Sequence, residues 1–187
     1  MGTYSPVDKI TPSIIKETVD TVIRPMAKAL ISDGNPFTGF LYGGLMLTEK
    51  GIKTIEFNCR FGDPEAEVLM PRLESDLAQA IIDIMDNKLP VLEFDKDYYC
   101  TVCLADNNYP TGKNEACLIE GVEDAGLVYH MGTKKVDGKL YSNGGRVLAV
   151  TTKGKDLAEA VSNTYENVKK IKATGLRYRN DIGKKSL

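Results

Sequence analysis

A change of hydrophobic pattern at residues 87–90 limits the folds open to this chain. Before it, apolar residues recur mostly at helical spacing, apart from one hairpin predicted from strands 37–48 and 52–59. After it, short strand-like segments dominate, and one long amphipathic helix follows them over 156–172. No single period covers both halves, so we expect an α+β fold with two domains, residues 1–89 and 90–187.

Start and stop signals predict the helices of the first half. Thr11-Pro12 is typical of a helix cap followed by the first helical residue, and Pro25 should kink this helix or split it in two. Asp63-Pro64-Glu65 predicts a second helix start. Ser75 or Asp76 is expected to cap a further helix.

Composition argues against several classes of protein. The 24 Lys and Arg against 26 Asp and Glu give a net charge of -2, unlike a dedicated nucleic-acid-binding protein. The longest mostly apolar stretch, 37–47, is too short to span a membrane, and the first ten residues do not resemble a signal peptide. Four cysteines are too few for a disulfide scaffold, so a reducing cytoplasm is the expected location.

The segment 54–60 carries side chains suited to binding a metal ion. Alternation along a strand gives it a polar face and an apolar face that should pack into the core, with Thr54, Glu56 and Asn58 on the first and Ile55, Phe57 and Cys59 on the second. Glu56 and Asn58 are about 6.6 Å apart along such a strand. Their oxygens can converge on a hard cation such as Mg²⁺, although for the pair taken alone a solvated polar face is the simpler explanation.

The residues after this pair favour phosphate chemistry. Arg60 supplies a fork-shaped anion donor, and Gly62 allows a tight backbone turn. The free N–H groups of a helix starting at 63–65 would form an anion-binding end. Together these features suit phosphate transfer, while a plain helix cap is the alternative explanation for Asp63.

Several longer runs resemble one enzyme family. The run FTGFLYGGLMLTEKGIKTIEFNCRFGDPEAEVLMPRLESDL resembles the end of the ATP-grasp domain of the glycinamide ribonucleotide synthetases (phosphoribosylamine–glycine ligases). MGTYSP resembles the end of that family's glycine-rich segment, and HMGTKK, SNGGRVLAVTT and YRNDIG resemble its C-terminal domain in the same order. The resemblance implies the C-terminal part of an ATP-grasp domain, with an antiparallel hairpin plus helices. A small mostly-β C-terminal domain with a long terminal helix would follow it.

The resemblance also implies an activity and its residues. The family ligates glycine to 5-phosphoribosylamine through glycyl phosphate in de novo purine biosynthesis, with ATP and Mg²⁺ (or Mn²⁺) as cofactors. Glu56 and Asn58 match the metal ligands, and Arg60 would be the catalytic residue that steadies the acyl phosphate. Asp63 and Glu65 would help to shape the side that binds the amine substrate.

Two further sets of residues are candidates for binding. Gly144-Gly145-Arg146 matches the family's Gly-Gly-Arg turn and would bind substrate, since two glycines allow close backbone approach and an arginine donates to anions. A strand-connecting turn with a structural arginine is the alternative. Leu45 and Met46 lie on the strand that precedes the one with Glu56 and Asn58, and would line the adenine pocket. Such residues are more often part of the core.

The chain differs from the family in the parts that it lacks. The family's amino-terminal domain and nucleotide-clamping lysines are missing, and the strand Tyr42–Leu45 offers no acidic metal ligand. We therefore expect a C-terminal fragment that is inactive alone and exposes apolar surface that the rest of the protein would cover. Its expected partners are the small-molecule substrates and the missing amino-terminal part, with neither nucleic acid nor membrane.

Two other functions stay open at this point. One is another ATP-grasp ligase or carboxylase, against which the sequence Phe61-Gly62-Asp63-Pro64 favours the glycine ligase. The other is a non-catalytic module that binds a nucleotide or a partner chain.

Overall fold

The computed structural model describes residues 1–112 and 115–187, which divide into two compact units. Unit 1 comprises Met1–Pro6, Pro64–Arg72 and Asp95–Leu187, and unit 2 comprises Val7–Asp63 and Leu73–Phe94. Helices and antiparallel sheets occur together, which confirms the α+β class. The domain boundary between residues 89 and 90 stays a prediction.

The described elements follow one another along the chain in this order: β1 (Gly2–Ser5), α1 (Pro12–Thr18), a π-helical turn (Val19–Ile23), α2 (Arg24–Ser32), β2 (Tyr42–Thr48), β3 (Gly51–Asn58), α3 (Ala66–Arg72), α4 (Leu77–Met85), β4 (Tyr98–Asp106), β5 (Leu118–Ile119), β6 (Leu127–His130), β7 (Thr133–Val136), β8 (Lys139–Ser142), β9 (Arg146–Gly154), α5 (Leu157–Val168), β10 (Leu176–Arg177) and a 3₁₀ turn (Lys184–Ser186). None of these helices is long and apolar enough to cross a membrane.

Unit 1 is built around a five-stranded antiparallel sheet. Its strands run in the order β1-β4-β9-β6, and β10 also pairs with β4. A second sheet has the order β5-β8-β7, and its β7–β8 turn places Asp137 at φ 49° and Gly138 at φ 77°, as the Asp-Gly signal requires. Helix α5 packs on β4 and β9 and encloses the buried core.

The predicted inward face of the last helix is confirmed. All six of its residues are buried, namely Leu157, Ala160, Val161, Thr164, Val168 and Ile171. The helix itself ends at Val168, four residues before the predicted end. Beyond Val168 the Lys170 and Ile171 amides donate to the carbonyls three residues back, at 3.1 and 3.2 Å, so tight turns replace the last α-helical turn.

Unit 2 begins with an interrupted helix. Thr11 caps it, accepting a hydrogen bond from the Ile14 amide at 3.3 Å. The predicted interruption at Pro25 is confirmed as a π-helical turn, in which the Arg24 amide bonds to the Val19 carbonyl. Proline lacks an N–H for its own helical bond, and the wider turn in front of it absorbs that loss.

The hairpin of unit 2 is shorter than predicted. Strand β2 begins at Tyr42 rather than at Phe37, because Gly39 has φ 146° and interrupts the extended backbone. The turn falls where expected, with Gly51 at φ 87°.

Apolar side chains of unit 2 are widely exposed. In α4, Asp76 caps the helix as predicted, but the exposed fractions of Ile81 and Met85 are 40% and 73%, so its expected inward face is buried mainly at Ala80. Leu89 is 94% exposed. Unit 2 thus exposes several large apolar side chains, and their covering by the rest of the protein stays a prediction.

Candidate functional site

A β-bulge in the hairpin decides which side chains share a face. Gly44 pairs with Glu56, but the next residue, Leu45, pairs with Thr54, so Ile55 is an extra residue in β3. Directly opposed residues of an antiparallel pair project to the same side. Because β2 alternates without interruption, Glu56 projects to one side of the hairpin and Thr54 to the other.

The bulge corrects the predicted faces of β3. Thr54 does not share a face with Glu56, since it pairs with Leu45, which lies on the side of α1. Ile55 is 65% exposed and Cys59 is also exposed, so the predicted apolar face does not pack into a core as a whole. An insertion of one residue reverses the alternation on one side of it, and this reversal separates Thr54 from the pair.

Glu56 and Asn58 meet on their common face. The Asn58 side-chain amide donates a hydrogen bond to Glu56 Oε1 at 2.9 Å. Glu56 is exposed and Asn58 is half-buried, so the pair is open to a ligand. The structure thus brings together the two residues that the sequence predicted as metal ligands.

The opposing strand keeps space for this pair. Gly44 lies directly across from Glu56, and a Cβ on Gly44 would come within 3.0 Å of Glu56 Cγ. Sequence reasoning treated Gly44 only as a position without an acidic ligand. A glycine inside a strand signals close approach of a neighbour, and this signal could have identified its role.

Arg60 lies just beyond the end of β3. Its Nη1 donates to the Phe61 carbonyl at 2.7 Å, which fixes one edge of the guanidinium and leaves the group exposed. The Phe61 ring packs on Phe40 with centroids 4.3 Å apart. This aromatic pair, which the sequence did not single out, holds the loop that carries Arg60.

The residues after Arg60 form no long helix start. Helix α3 begins at Ala66, three residues after the predicted start, and has only seven residues. The Glu65 carbonyl accepts bonds from the Val68 and Leu69 amides at 3.2 and 3.1 Å, so Glu65 occupies the cap position expected for Asp63. Asp63 is exposed in unit 2, and Glu65 is half-buried in unit 1.

The two candidate nucleotide-binding residues lie on opposite sides of β2. Leu45 lines an apolar cavity of about 240 Å³ together with residues of α1, Leu47 and Ile52. Met46 is 53% exposed and shares its side of β2 with Gly44. Their role in binding adenine stays a prediction.

The Gly-Gly-Arg turn lies in unit 1, where it leads into β9. Gly144 and Gly145 have φ values of 79° and 67°, which glycine adopts readily. The Asp106 amide donates to the Gly145 carbonyl at 2.9 Å, and Arg146 Nη1 lies 3.4 Å from Met1 Sδ. The turn is thus anchored on β4, with its arginine at the start of β9 and near Met1.

The chemistry of the Glu56–Asn58 pair fits a magnesium ion. A carboxylate and an amide oxygen are hard oxygen donors, the kind that Mg²⁺ prefers. Within residues 1–112 and 115–187, no group of three or more His, Cys, Asp or Glu side chains is arranged to hold a metal. The pair itself would supply two oxygen ligands, and phosphate oxygens and water would complete a coordination shell.

Two family models match the chain in succession. The model of the ATP-grasp (A) domain of phosphoribosylglycinamide synthetase matches residues 1–66, and the model of its C domain matches residues 99–185. The chain belongs to the phosphoribosylglycinamide synthetase family. The resemblance found in the sequence is thereby confirmed.

Relatives of the synthetase family extend along the whole chain. The phosphoribosylamine–glycine ligase of Halalkalibacterium halodurans is 44% identical over 190 residues, covering 100% of this chain and 44% of that protein. The Lactococcus lactis ligase is 41% identical over 189 residues, covering 100% and 46%. This chain spans under half the length of these curated relatives.

Solved structures agree with this fold. The crystal structure of phosphoribosylamine–glycine ligase from Thermotoga maritima has a TM-score of 0.85 at 31% identity, covering 97% of this chain and 46% of that one. The biotin carboxylase domain of the Hydrogenobacter thermophilus 2-oxoglutarate carboxylase, in complex with MgADP, ADP and bicarbonate, has a TM-score of 0.60 at 16% identity, covering 95% and 40%. The second likeness concerns the fold alone.

Proposed function

We propose that this chain, as part of a longer enzyme, takes part in the ATP-dependent ligation of glycine to 5-phosphoribosylamine. The observation that carries the proposal is the contact of Glu56 and Asn58 on one open face of β3, with Arg60 two residues later, inside the match to the ATP-grasp domain. ATP and Mg²⁺ (or Mn²⁺) are the proposed cofactors, and the cytoplasm is the proposed location. Residues 1–89 would form the C-terminal portion of the ATP-grasp domain, and residues 90–187 would form the C domain.

The reaction has two displacement steps. A carboxylate oxygen of glycine attacks the γ-phosphorus of ATP, the bond to the bridging oxygen breaks, and ADP leaves with that electron pair. The amine nitrogen of 5-phosphoribosylamine then attacks the carbonyl carbon of glycyl phosphate. Phosphate leaves with the electrons of the C–O bond, and the nitrogen loses a proton, which gives glycinamide ribonucleotide.

Each proposed residue has a task that suits its chemistry. Glu56 and Asn58 would hold Mg²⁺, which when bound offsets negative charge on phosphate oxygens. Arg60 would donate N–H groups to the oxygens of the transferring phosphoryl group. Its bond to the Phe61 carbonyl restrains the guanidinium plane, so fewer rotamers must be fixed when a phosphate binds.

Two further groups of residues would bind substrate. Asp63 and Glu65 would shape the amine side. Gly144, Gly145 and Arg146 would bind the phosphate of 5-phosphoribosylamine, because an arginine and an open glycine turn suit an anion.

Substitutions in the longer enzyme test the metal assignment. We expect Glu56→Ala and Asn58→Ala to raise the Mg²⁺ concentration needed for half-maximal ATP- and glycine-dependent phosphate release by at least tenfold. Thr54→Val is the matched control, since Thr54 lies on the same strand but on the opposite side. An unchanged Mg²⁺ dependence in both alanine variants would remove the assignment.

The 187-residue chain itself provides a second test. We expect it to release no phosphate from ATP with glycine and 5-phosphoribosylamine, and to gain activity when the preceding part of the enzyme is supplied. Steady turnover by the chain alone would refute the requirement for that part.

A further inference from the structure

The segment that leads from β6 into β7 passes very close to the Gly-Gly-Arg turn. A Cβ on Gly132 would lie 2.5 Å from the Gly144 carbonyl oxygen and 2.7 Å from the Arg146 carbonyl oxygen, closer than real Cβ atoms approach backbone. The φ of Gly132 is not in the left-handed region, so space rather than backbone conformation requires glycine here. Gly132 lies in the run HMGTKK, to which the proposed reaction assigns no task.

Gly132 also bonds to both sides of the turn. Its amide and that of Met131 both donate to the Val147 carbonyl, at 3.1 and 3.0 Å, and its own carbonyl accepts from the Asn143 amide at 2.8 Å. Residues 143 and 147 bracket Gly144-Gly145-Arg146. The backbone of Gly132 therefore closes the base of this turn.

The Val147 carbonyl, which accepts both amides, belongs to a second β-bulge. Leu104 pairs with Leu148, whereas Ala105 pairs with Arg146, so Val147 is an extra residue in β9. A bulge changes the direction of the residue beside it. The Val147 carbonyl accepts hydrogen bonds from the Met131 and Gly132 amides. These two bonds hold the bulge and so fix the direction in which the Arg146 side chain leaves the sheet.

The outer side of the turn is open. A Cβ built on Gly145 would meet no atom within 4 Å, whereas Gly132 has no such space on the inner side. The Asp106 amide restrains the Gly145 carbonyl at 2.9 Å. The turn thus has a fixed base and an accessible backbone, which is the arrangement that close approach of a phosphate needs.

We propose that Gly132 is a positioning residue that sets the Gly144–Arg146 turn for the phosphate of the ribosyl substrate. This inference rests on the proposed function, in which that turn binds 5-phosphoribosylamine. Gly132 acts through the turn and does not itself touch the ligand.

Calorimetric titration of the 187-residue chain tests this role. The probes are glycinamide ribonucleotide, the stable proposed product, and its dephosphorylated riboside. We expect Arg146→Ala and Gly132→Ala each to weaken ribonucleotide binding about tenfold, the size of one charge-assisted hydrogen bond, and to leave riboside binding unchanged. Gly112→Ala is the matched control, because its Cβ would meet Asn108 Cβ at an ordinary 3.5 Å, and it should bind both probes like the unaltered chain.

The outcomes separate the inference from the proposed function. If the unaltered chain fails to prefer the ribonucleotide, or Arg146→Ala keeps that preference, the proposed role of the turn fails and this inference falls with it. If Arg146→Ala loses the preference and Gly132→Ala keeps it, only the role of Gly132 is refuted. Equal weakening for both probes in Gly132→Ala would indicate general loss of structure and would also refute positioning.

A measurement on the unaltered chain covers the case in which Gly132→Ala does not fold. Bound glycinamide ribonucleotide should slow hydrogen exchange at the Met131 and Gly132 amides, because these bonds hold the base of the turn. Unchanged exchange at saturating ribonucleotide would overturn the inference.

Discussion

Replacing Asn58 by aspartate would place two carboxylates in contact on β3. In the structure, Asn58 Nδ2 lies 2.9 Å from Glu56 Oε1. An aspartate oxygen at the position of Nδ2 would repel that oxygen by about 1.4 kcal/mol, the Coulomb energy of unit charges at this separation in bulk water. The variant also loses a hydrogen bond of about 0.5–1 kcal/mol. We therefore expect Asn58→Asp to lower the free energy of unfolding by about 2 kcal/mol at low salt.

Asn58→Ala is the matched control, because it loses the hydrogen bond without adding charge. The difference between the two variants isolates the repulsion and should be about 1.4 kcal/mol, or roughly 3–6 °C in Tm for a chain of this length. Urea and thermal unfolding followed by circular dichroism measure this difference, and amide exchange in β3 locates it. The difference should shrink in 1 M NaCl, where the screening length is about 3 Å.

Magnesium should reverse the order of the two variants. A divalent cation between two carboxylates replaces repulsion by attraction, so millimolar Mg²⁺ should stabilise Asn58→Asp more than Asn58→Ala. If Asn58→Asp is as stable as Asn58→Ala in low salt without Mg²⁺, the two side chains are not adjacent in solution. If Mg²⁺ stabilises both variants equally, the pair does not bind the ion.

Two further predictions concern the stability of unit 1. Asp156 Oδ1 accepts from the Glu159 amide at 2.8 Å at the start of α5, so Asp156→Ala should lower the free energy of unfolding by about 1 kcal/mol in urea, while Asp156→Asn should restore most of it. An equal loss in both variants would contradict a capping role. Burial raises the pKa of the Cys100 thiol to about 11 from 9.0, so the unfolded chain loses this proton first and stability should fall between pH 9 and pH 11. The fall in Tm over this range should be smaller in Cys100→Ala, and parallel curves for the two proteins would contradict the assignment.

The helices were predictable where one periodic pattern coincides with one buried face. Five of the six predicted inward residues lie in α5 and are buried, because the helix packs on one sheet with one stripe of apolar and small side chains, and the sixth, Ile171, is buried just after its end. In α4 the same pattern fails at Met85, which is 73% exposed. Periodicity identifies the side of a helix that can be buried, and neighbouring elements determine whether it is.

Two short strands of unit 1 were not predictable from local sequence. The four-residue strand β1 and the two-residue strand β10 were not expected, and both exist because β4 offers them hydrogen-bonding edges. Such pairings depend on residues distant in sequence, so local patterns contain little information about them. The Asp-Gly turn between β7 and β8 was predictable, since its two positive φ values follow from local chemistry.

The residues of the candidate site were predictable, but the side of the hairpin on which each one lies was not. Glu56 and Asn58 follow from strand alternation, since no bulge lies between them. The position of Thr54 does not, because the extra residue Ile55 is defined only by pairing with β2. The same limit applies to Gly132, whose close approach to Gly144 becomes visible only when β6 and β9 are paired.

The bulge at Ile55 lets one strand serve two purposes. In the first part of β3, Ile52 faces the cavity beside α1, and Thr54 pairs with Leu45 on that side. With unbroken alternation, residues 52, 54, 56 and 58 would share this side, and Glu56 would lie across from Gly43, where a Cβ would meet Ile23 Cδ1 at 3.0 Å. Placing an ionised carboxylate against an apolar side chain without a charged partner is unfavourable. The extra residue turns Glu56 and Asn58 to the open side while the start of the strand keeps its packing, so the proposed metal site depends on the bulge.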